Sequence, residues 1–240
     1  MYSWTSENQG QPLVEVFSVS FKQGDEPPAG TVSVFDGKRG QIIYSSDNPF
    51  PRTQRSGGLP LTGPYRAISA DGSVAFVLDL SSSPTEIFLD VYDEATKYDQ
   101  RLTSSDGRVV VTYALLSNAA EATVEVRLLG QHAGRTVGGT VVAQTDLGEV
   151  VLFDDADGAS VCTGREEEQT GLVPLNRSIV AVPLASSLTV VVDLVVNPDD
   201  GRQDVVKGSV VSVPKLGSED VQRRPAAGVA AVEVKVAWLD

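Results

Sequence analysis

Gly30-Thr31-Val32 recurs in the second half of the chain as Gly139-Thr140-Val141, and Ile42-Ile43-Tyr44 recurs at the same spacing as Val151-Leu152-Phe153. Two further pairs follow at one slightly larger spacing: Pro60-Leu61 with Pro174-Leu175, and Asp79-Leu80 with Asp193-Leu194. Self-similarity on this scale indicates an internal duplication. It predicts a first lobe over residues 1–116 and a second lobe over 117–240, with one fused domain as the alternative.

The repeated segments alternate apolar and polar residues, which is typical of strands with one buried face. Valine dominates the apolar residues, as expected in such strands. Helical periodicity is sustained nowhere, and only Tyr92–Arg101 is a candidate for a short helix. The sequence therefore predicts an all-β fold: two related, tightly packed antiparallel β-sandwich lobes with little or no helix. The predicted strands span residues 14–21, 31–35, 41–44, 66–69, 73–80, 86–92, 108–116, 122–129, 139–143, 149–153, 178–183, 187–196, 205–214 and 230–238.

The boundary between the two copies is expected near Ser117-Asn118-Ala119-Ala120, which we interpret as a short linker. The segment Ala122–Arg127 resembles Ala230–Lys235, near the end of the chain. This similarity predicts that the last strand closes the sheet of the second copy or crosses to the first, since unpaired strand edges invite aggregation. Residues 222–228, which contain a proline, are expected to connect to that strand.

The charge of the chain limits its partners. The 240 residues include 19 basic and 32 acidic ones, for a formal charge of −13. Because phosphate binding requires clustered lysine and arginine, we expect neither nucleic acid nor an anionic membrane surface as the partner. The longest apolar run, Leu188–Val196, is too short to span a bilayer, so membrane insertion is not expected.

Cys162 is the only cysteine, so an internal disulfide cannot form and a reducing compartment is favoured. The first residues, 1–7, show neither the basic nor the apolar region of a signal peptide. These observations predict a cytoplasmic protein.

The acidic loops are the candidate metal site. Asp154, Asp155 and Asp157 follow a predicted strand end, with Glu166–Glu168 in the same inter-strand segment. Calcium takes six to eight oxygen ligands from loops of this kind. The EF-hand spacing is absent, and Asp-Gly is also a common turn, so a solvated acidic turn is the alternative. No cofactor is predicted, and calcium is the alternative.

Tyr65 and Arg66 are candidate binding residues, because Arg offers a forked, permanently charged donor after the turn Gly63-Pro64. An ion pair between Arg66 and an acidic residue is the alternative role. His132 is the only histidine and is expected to be an ordinary exposed loop residue. Carboxylates near Cys162 are expected to raise its pKa and to make the thiol inert. No catalytic residue is predicted, and we do not expect an enzyme.

Several segments carry a resemblance to a known family. They include Pro12–Val19, Gly30–Asp36, Leu61–Ala67, Ala120–Val126, Val150–Asp154 and Val173–Val180, in the family's order. Together they resemble a plant family expanded in grasses, the domain of unknown function 6598 family. The resemblance implies no particular reaction. Some grass members look fused to ribosome-inactivating rRNA N-glycosylases, but the active-site helix of those enzymes has no counterpart among the predicted strands.

Three hypotheses of function follow. The first is a non-catalytic interaction module that binds a protein or a glycan, with a role in plant defence or stress implied by the resemblance. The second is a calcium- or carbohydrate-binding module. The third, also implied by the resemblance, is an accessory module related to ribosome-inactivating proteins.

Overall fold

The computed structural model describes residues 9–21, 29–37, 39–47, 58–80, 85–89, 100–103, 109–130, 132, 134–164, 170–197, 203–225 and 231–239. Within these ranges the regular elements are all strands. The strands of the first half are β1 (Gln11–Phe21), β2 (Thr31–Phe35), β3 (Gly40–Ser45), β4 (Ile68–Ser69), β5 (Val74–Asp79), β6 (Thr85–Leu89) and β7 (Gln100–Thr103). Those that follow are β8 (Val109–Leu129), β9 (Thr136–Gln144), β10 (Glu149–Val161), β11 (Thr170–Leu172), β12 (Ile179–Pro183), β13 (Leu188–Asn197), β14 (Asp204–Ser212), β15 (Ser218–Pro225) and β16 (Ala231–Leu239).

The strands form three antiparallel sheets. A central sheet has the order β15-β16-β8-β1-β4, and β7, β11 and β12 also pair with β8. Two four-stranded sheets have the orders β3-β2-β5-β6 and β10-β9-β13-β14. The first belongs to the first half of the chain and the second to the second half.

Strand β8 joins the two halves, because its 21 residues run without interruption through both. Its first part pairs with β1, from Val109 to Ala119, and its last part pairs with β16, from Glu121 to Leu129. The segment Ser117–Ala120, expected to be a linker, is therefore part of a strand, and that prediction is wrong. The pairing of β16 with β8 is the closure that the similarity between their sequences predicted.

Each half packs one four-stranded sheet against part of the central sheet. In the first half, Val16 and Val111 of the central sheet share a buried cluster with Val34 and Phe76. In the second half, Val126 and Val234 of the central sheet share one with residues such as Leu194. The predicted all-β, antiparallel sandwich class is confirmed.

The two halves also share a pairing plan. Corresponding contacts are Val32 with Tyr44 and Leu78, and Val141 with Phe153 and Val192. The register shifts at the same place in both copies, beside Ile43 and Leu152. The two halves therefore share this local pairing plan, and the duplication itself stays a prediction.

Two local predictions are wrong. Strand β15 (Ser218–Pro225) occupies most of the segment expected to be a connection, and it pairs with β16 along its length. The candidate helix ends in strand β7, because Gln100 and Arg101 pair with Tyr113 and Thr112 of β8. The earlier part of that candidate helix, residues 92–99, lies outside the described residues. No helix in the described part of the chain is long and apolar enough to cross a membrane.

Candidate binding cleft and junction sites

A bulge in β10 forms one wall of a cleft in the second half. The ladder between β9 and β10 shifts register between Asp155 and Ser160, where residues 156–159 leave the strand pairing. The Asp155 carboxylate accepts hydrogen bonds from the backbone N–H groups of Gly158 (2.9 Å), Ala159 (3.1 Å) and Ser160 (2.7 Å), and from the Ser160 hydroxyl (2.6 Å). Four donors on one buried carboxylate hold the bulge in a single shape.

Glycines allow the bulge to lie directly on the neighbouring strand. A Cβ atom added to Gly138 would lie 2.6 Å from the Cα atom of Gly158 and 3.0 Å from the carbonyl oxygen of Asp155. Gly158 itself has φ +66°, in the left-handed region that glycine adopts without strain. The two backbones therefore approach more closely than any side chain at Gly138 would permit.

The cleft beside this bulge has a volume of about 300 Å³. Three glycines line it, Gly138, Gly139 and Gly158, and its other lining residues are mostly polar. The polar side chains that line it are those of Thr140, Asp193, Asn197 and Gln203. Strands β9 and β13 place Thr140 directly opposite Asp193.

The lining groups are suited to hydrogen bonding with a polar ligand. Amides such as those of Asn197 and Gln203 each offer two donors and an acceptor, and the Thr140 hydroxyl can act as either. The Asp193 carboxylate accepts a hydrogen bond from the Lys207 ammonium group at 2.9 Å, and both side chains are exposed. This exposed pair leaves carboxylate oxygen available to a second donor, since a carboxylate accepts about four hydrogen bonds.

A second site surrounds the two predicted binding residues of the first half. The Gln41 side chain accepts hydrogen bonds from the backbone N–H groups of Tyr65 (3.0 Å) and Arg66 (3.2 Å), and its own amide donates to the Arg66 carbonyl (3.3 Å). Gln41 is buried, so this clamp is shielded from water. It fixes the backbone of the Tyr65-Arg66 turn beside strand β3.

The two side chains of that turn have different surroundings. The Arg66 guanidinium donates to both Asp36 carboxylate oxygens, at 2.7 and 2.9 Å, and these hydrogen bonds raise its pKa further. Asp36, with 1% of its side chain exposed, is the acidic partner of the expected ion pair. The Tyr65 residue is 76% exposed. A ligand would therefore meet Tyr65 first, and a binding role for either residue stays a prediction.

The sequence profile of domain of unknown function 6598 (DUF6598) matches residues 13–236. The chain belongs to the DUF6598 family. The resemblance noted from short segments is therefore confirmed over nearly the whole chain. No curated protein is detectably similar to it in sequence.

Solved structures give only distant similarities to this DUF6598 chain. A structure of two C2 domains, A and B, of Extended-Synaptotagmin 2 shares 7% identity over 99% of this chain and 94% of that chain, with a TM-score of 0.26. Human GIVD cytosolic phospholipase A2 shares 11% identity over 95% of this chain and 33% of that chain, with a TM-score of 0.25. Similarities at this level indicate neither the fold nor the function of this chain.

The predicted calcium residues of this DUF6598 chain lie in a different setting from the one expected. Asp154 and Asp155 are buried residues within β10 and do not lie in a loop after its end. The side chain of Asp157 and the residues Glu166–Glu168 lie outside the described part. Among the described residues, no group of three or more His, Cys, Asp or Glu side chains could hold a metal ion. Calcium binding through Asp154, Asp155 and Asp157 stays a prediction.

His132 and Cys162 both lie outside the strands, as the sequence predicted, but both are buried. His132 is 7% exposed, so the expectation of an exposed histidine is wrong, and burial lowers its pKa. Cys162 is 1% exposed, and burial raises its pKa to about 11. Loss of solvent on burial is the cause of this raised pKa, and an inert thiol stays a prediction.

The sequence analysis missed the junction between the halves. Glu15 and Arg177, both buried, form an ion pair there, and the Arg177 guanidinium also donates to the carbonyls of Val16 (2.6 Å) and Ile179 (2.8 Å). One signal was available, because Glu15 interrupts the apolar run Leu13-Val14-Glu15-Val16. A charged residue inside such a run is seldom buried without a partner.

Proposed function

We propose that this DUF6598 chain is a non-catalytic binding module whose cleft takes a neutral carbohydrate. The observation that supports it is the cleft of about 300 Å³, which is lined by three glycines and by polar side chains. The absence of a side chain at Gly158 gives a sugar ring room to approach the backbone there. Asn197 and Gln203 then supply donors and acceptors to the ring hydroxyl groups.

The charge of the protein selects a neutral ligand over an acidic one. The formal charge is −13, and Asp193 lines the cleft itself. A uronic acid, a sulfated sugar or a phosphate would be repelled by this field, whereas an uncharged sugar would not. The volume is at the lower end of the range of about 300–1,000 Å³ for ligand pockets, which fits one or two sugar rings.

Isothermal titration calorimetry with neutral oligosaccharides tests the proposal. The panel contains gluco-, xylo- and manno-oligosaccharides, with a uronic-acid oligosaccharide as the charged comparison. We expect at least one neutral sugar to bind with millimolar or better affinity, and the Asn197→Ala and Gln203→Ala variants to bind it several-fold more weakly. The matched control is Gln144→Ala, which removes an exposed amide elsewhere on strand β9. Absence of binding across the panel, or equal affinity in all variants, would contradict the proposal.

A protein partner that contacts Tyr65 is the second candidate. The supporting observation is that Tyr65 is 76% exposed while Gln41 fixes its backbone. A rigid, exposed tyrosine gives a large contact area with little loss of conformational entropy, and tyrosine is enriched among the residues that dominate interfaces. We expect Tyr65→Ala to lose a partner in affinity capture followed by mass spectrometry. The control Val213→Ala, at a residue that is 66% exposed, should retain that partner.

The finer parts of the functional hypothesis stay predictions. They are the plant origin, the role in defence or stress, the accessory relation to ribosome-inactivating proteins and the cytoplasmic location. A calcium-dependent variant of carbohydrate binding predicts that a chelator abolishes sugar binding. The cleft as described needs no metal, so we propose binding that a chelator leaves unchanged.

A further inference from the structure

Two glutamates occupy corresponding positions at the junction of the halves. The Glu15 carboxylate accepts a hydrogen bond from the backbone N–H of Ala181 at 2.5 Å. The Glu121 carboxylate accepts one from the backbone N–H of Ala67 at 2.6 Å. Ala67 and Ala181 are themselves at matching positions, since they lie six residues after the matched leucines Leu61 and Leu175. Each glutamate therefore reaches across to the other half in the same way.

The next contact differs between the two positions. Glu15 also binds the guanidinium group of Arg177. The position that matches Arg177 is Gly63, since Asn176 and Thr62, one residue earlier, both donate their N–H groups to the matching carbonyls of Leu152 and Ile43. In the described part of the chain, no lysine or arginine forms a salt bridge with Glu121.

The first half cannot supply the missing guanidinium group from its own chain at that position. A Cβ atom added to Gly63 would lie 2.6 Å from the carbonyl oxygen of Ile42. Backbone occupies the space that an arginine side chain would need there. An arginine that pairs with Glu121 as Arg177 pairs with Glu15 therefore cannot come from this position.

A cavity of about 120 Å³ lies beside Glu121. Its apolar walls are formed by Leu13, Ala119 and Leu239, and its charged groups are Glu121 and Arg66. Apolar walls beside one carboxylate suit a side chain with a methylene stem and a cationic head.

The charged groups around the cavity carry one net negative charge. Arg66 lines the cavity, but both its terminal nitrogens donate to Asp36. Arg66 is attracted electrostatically to Glu121 as well as to Asp36, so its one positive charge faces two carboxylates, and the three groups together carry one net negative charge. The formal charge of −13 on the whole chain adds long-range attraction for a cation.

We propose that the cavity beside Glu121 receives the guanidinium group of an arginine side chain from a peptide or protein partner. The bound group would pair with Glu121 as Arg177 pairs with Glu15 in the other half. Guanidinium suits the site better than ammonium because its planar fork matches a carboxylate, and because the counterpart at Glu15 is an arginine. The site is separate from the sugar cleft, so either proposal can fail without the other.

The test is an NMR titration of the ¹⁵N-labelled full chain with N-acetyl-arginine amide. The matched ligand is N-acetyl-citrulline amide, which has nearly the same shape and no charge. We expect a saturable shift of the Ala67 amide resonance with the arginine compound, and none with the citrulline compound. Saturable binding without a shift at Ala67, equal shifts with both compounds, or no binding would overturn the proposal.

Variants separate the cavity from the general attraction of an acidic protein for cations. Glu121→Gln keeps an oxygen for the Ala67 amide and should weaken binding of the arginine compound at least about tenfold. Glu125→Gln removes the same charge from the same strand and should leave the affinity within about twofold. Leu239→Trp, at an exposed residue of the cavity wall, blocks the entrance and should abolish the shift even if Glu121→Gln fails to fold. Equal weakening by Glu121→Gln and Glu125→Gln would mean non-specific attraction and would reject the site.

Discussion

Arg177 and Glu15 join the two halves of the chain by an ion pair in which both side chains are almost wholly buried, with exposed fractions of 1% and 2%. The pair has further hydrogen bonds, since Glu15 accepts from Ala181 and Arg177 donates to the carbonyls of Val16 and Ile179. Burial of two charges costs several kcal/mol per ion, which only close pairing and satisfied hydrogen bonds offset. The junction therefore depends on both partners being present.

Removal of one partner should destabilise the protein strongly. Arg177→Met leaves the Glu15 carboxylate buried without a cation, and we expect the free energy of unfolding to fall by about 3–5 kcal/mol. The double variant Glu15→Gln/Arg177→Met removes both charges and should recover part of that loss. Urea denaturation followed by circular dichroism measures both. A loss below about 1 kcal/mol for Arg177→Met, in the range of an exposed ion pair, would contradict a buried pair.

The stability should also depend on pH through Glu15. Burial raises the pKa of Glu15 above its usual 4.5, and this effect outweighs the opposing influence of Arg177. The folded state therefore binds a proton at Glu15 more readily than the unfolded state does. The stability gained from this protonation is present at acidic pH and is lost as the pH rises through the pKa of Glu15 in the folded protein. Relative to Glu15→Gln, the wild-type protein should gain stability as the pH falls from neutral towards 4.5.

Urea denaturation of both proteins across that pH range measures the difference. Glu149→Gln, at a side chain in an exposed hydrogen bond, is the control and should run parallel to the wild type. If acidification instead lowers the stability of the wild type relative to Glu15→Gln, the pKa of Glu15 is lowered in the folded state, and the predicted direction of the shift is wrong.

Substitution by alanine should destabilise the protein more at the matching glycines Gly30 and Gly139 than at Gly72. Gly30 and Gly139 have φ +124° and +111°, and an added Cβ atom would lie 1.9 Å and 2.2 Å from the carbonyl oxygens of Asp79 and Asp193. Gly72 has φ +108° but no atom within 4 Å of an added Cβ. Gly72→Ala should therefore cost only backbone strain, about 1–2 kcal/mol, and the other two should cost about 1–3 kcal/mol more because of crowding.

Thermal or urea unfolding of the three alanine variants compares these costs directly. Similar losses for Gly30→Ala and Gly139→Ala would agree with matching roles in the two halves. If Gly72→Ala were as damaging as the other two, the close approach of the neighbouring strand would not be the cause.

The bulge that shapes the cleft should depend on the charge of Asp155. Asp155→Asn replaces one carboxylate oxygen by an amide nitrogen, which cannot accept the hydrogen bonds that Gly158, Ala159 and Ser160 divide between the two oxygens. Leaving such donors unsatisfied costs about 1–3 kcal/mol. Asp146→Asn, which alters a single exposed hydrogen bond to Ser186, should cost little by comparison. Amide hydrogen exchange of residues 156–160 should accelerate only in Asp155→Asn, and equal exchange in both variants would remove Asp155 as the organiser of the bulge.

The fold class could be predicted because alternation reports burial directly. Strand β13 alternates buried and half-buried residues along its whole length, as its sequence suggests. Strand β15 could not be predicted in this way, because Val221 is its one large apolar residue and is itself 50% exposed. An edge strand that buries little has no apolar period to detect.

The sites depend on contacts between distant parts of the chain, which a single sequence does not display. Alternation places Glu15 on the face opposite Val14 and Val16, which would be the solvent face of a simple sandwich. The segment around Arg177 covers that face, 162 positions away in the chain. Asp155 likewise lies in a segment with the composition of a metal-binding loop, but its carboxylate accepts hydrogen bonds within the bulge. The sequence indicated Tyr65 and Arg66 as candidates because they follow a turn, but only the structure shows that Tyr65 is the more exposed of the two.

The most direct test of the proposed function is a map of where a neutral oligosaccharide binds. In ¹⁵N-labelled protein titrated with the best sugar from the panel, we expect the largest shifts at the backbone amides of Gly138 and Gly158 and at the side-chain amides of Asn197 and Gln203. Resonances around Tyr65 and Ala67 should stay unchanged. Shifts confined to other surfaces, or none at millimolar sugar, would contradict a carbohydrate site in this cleft.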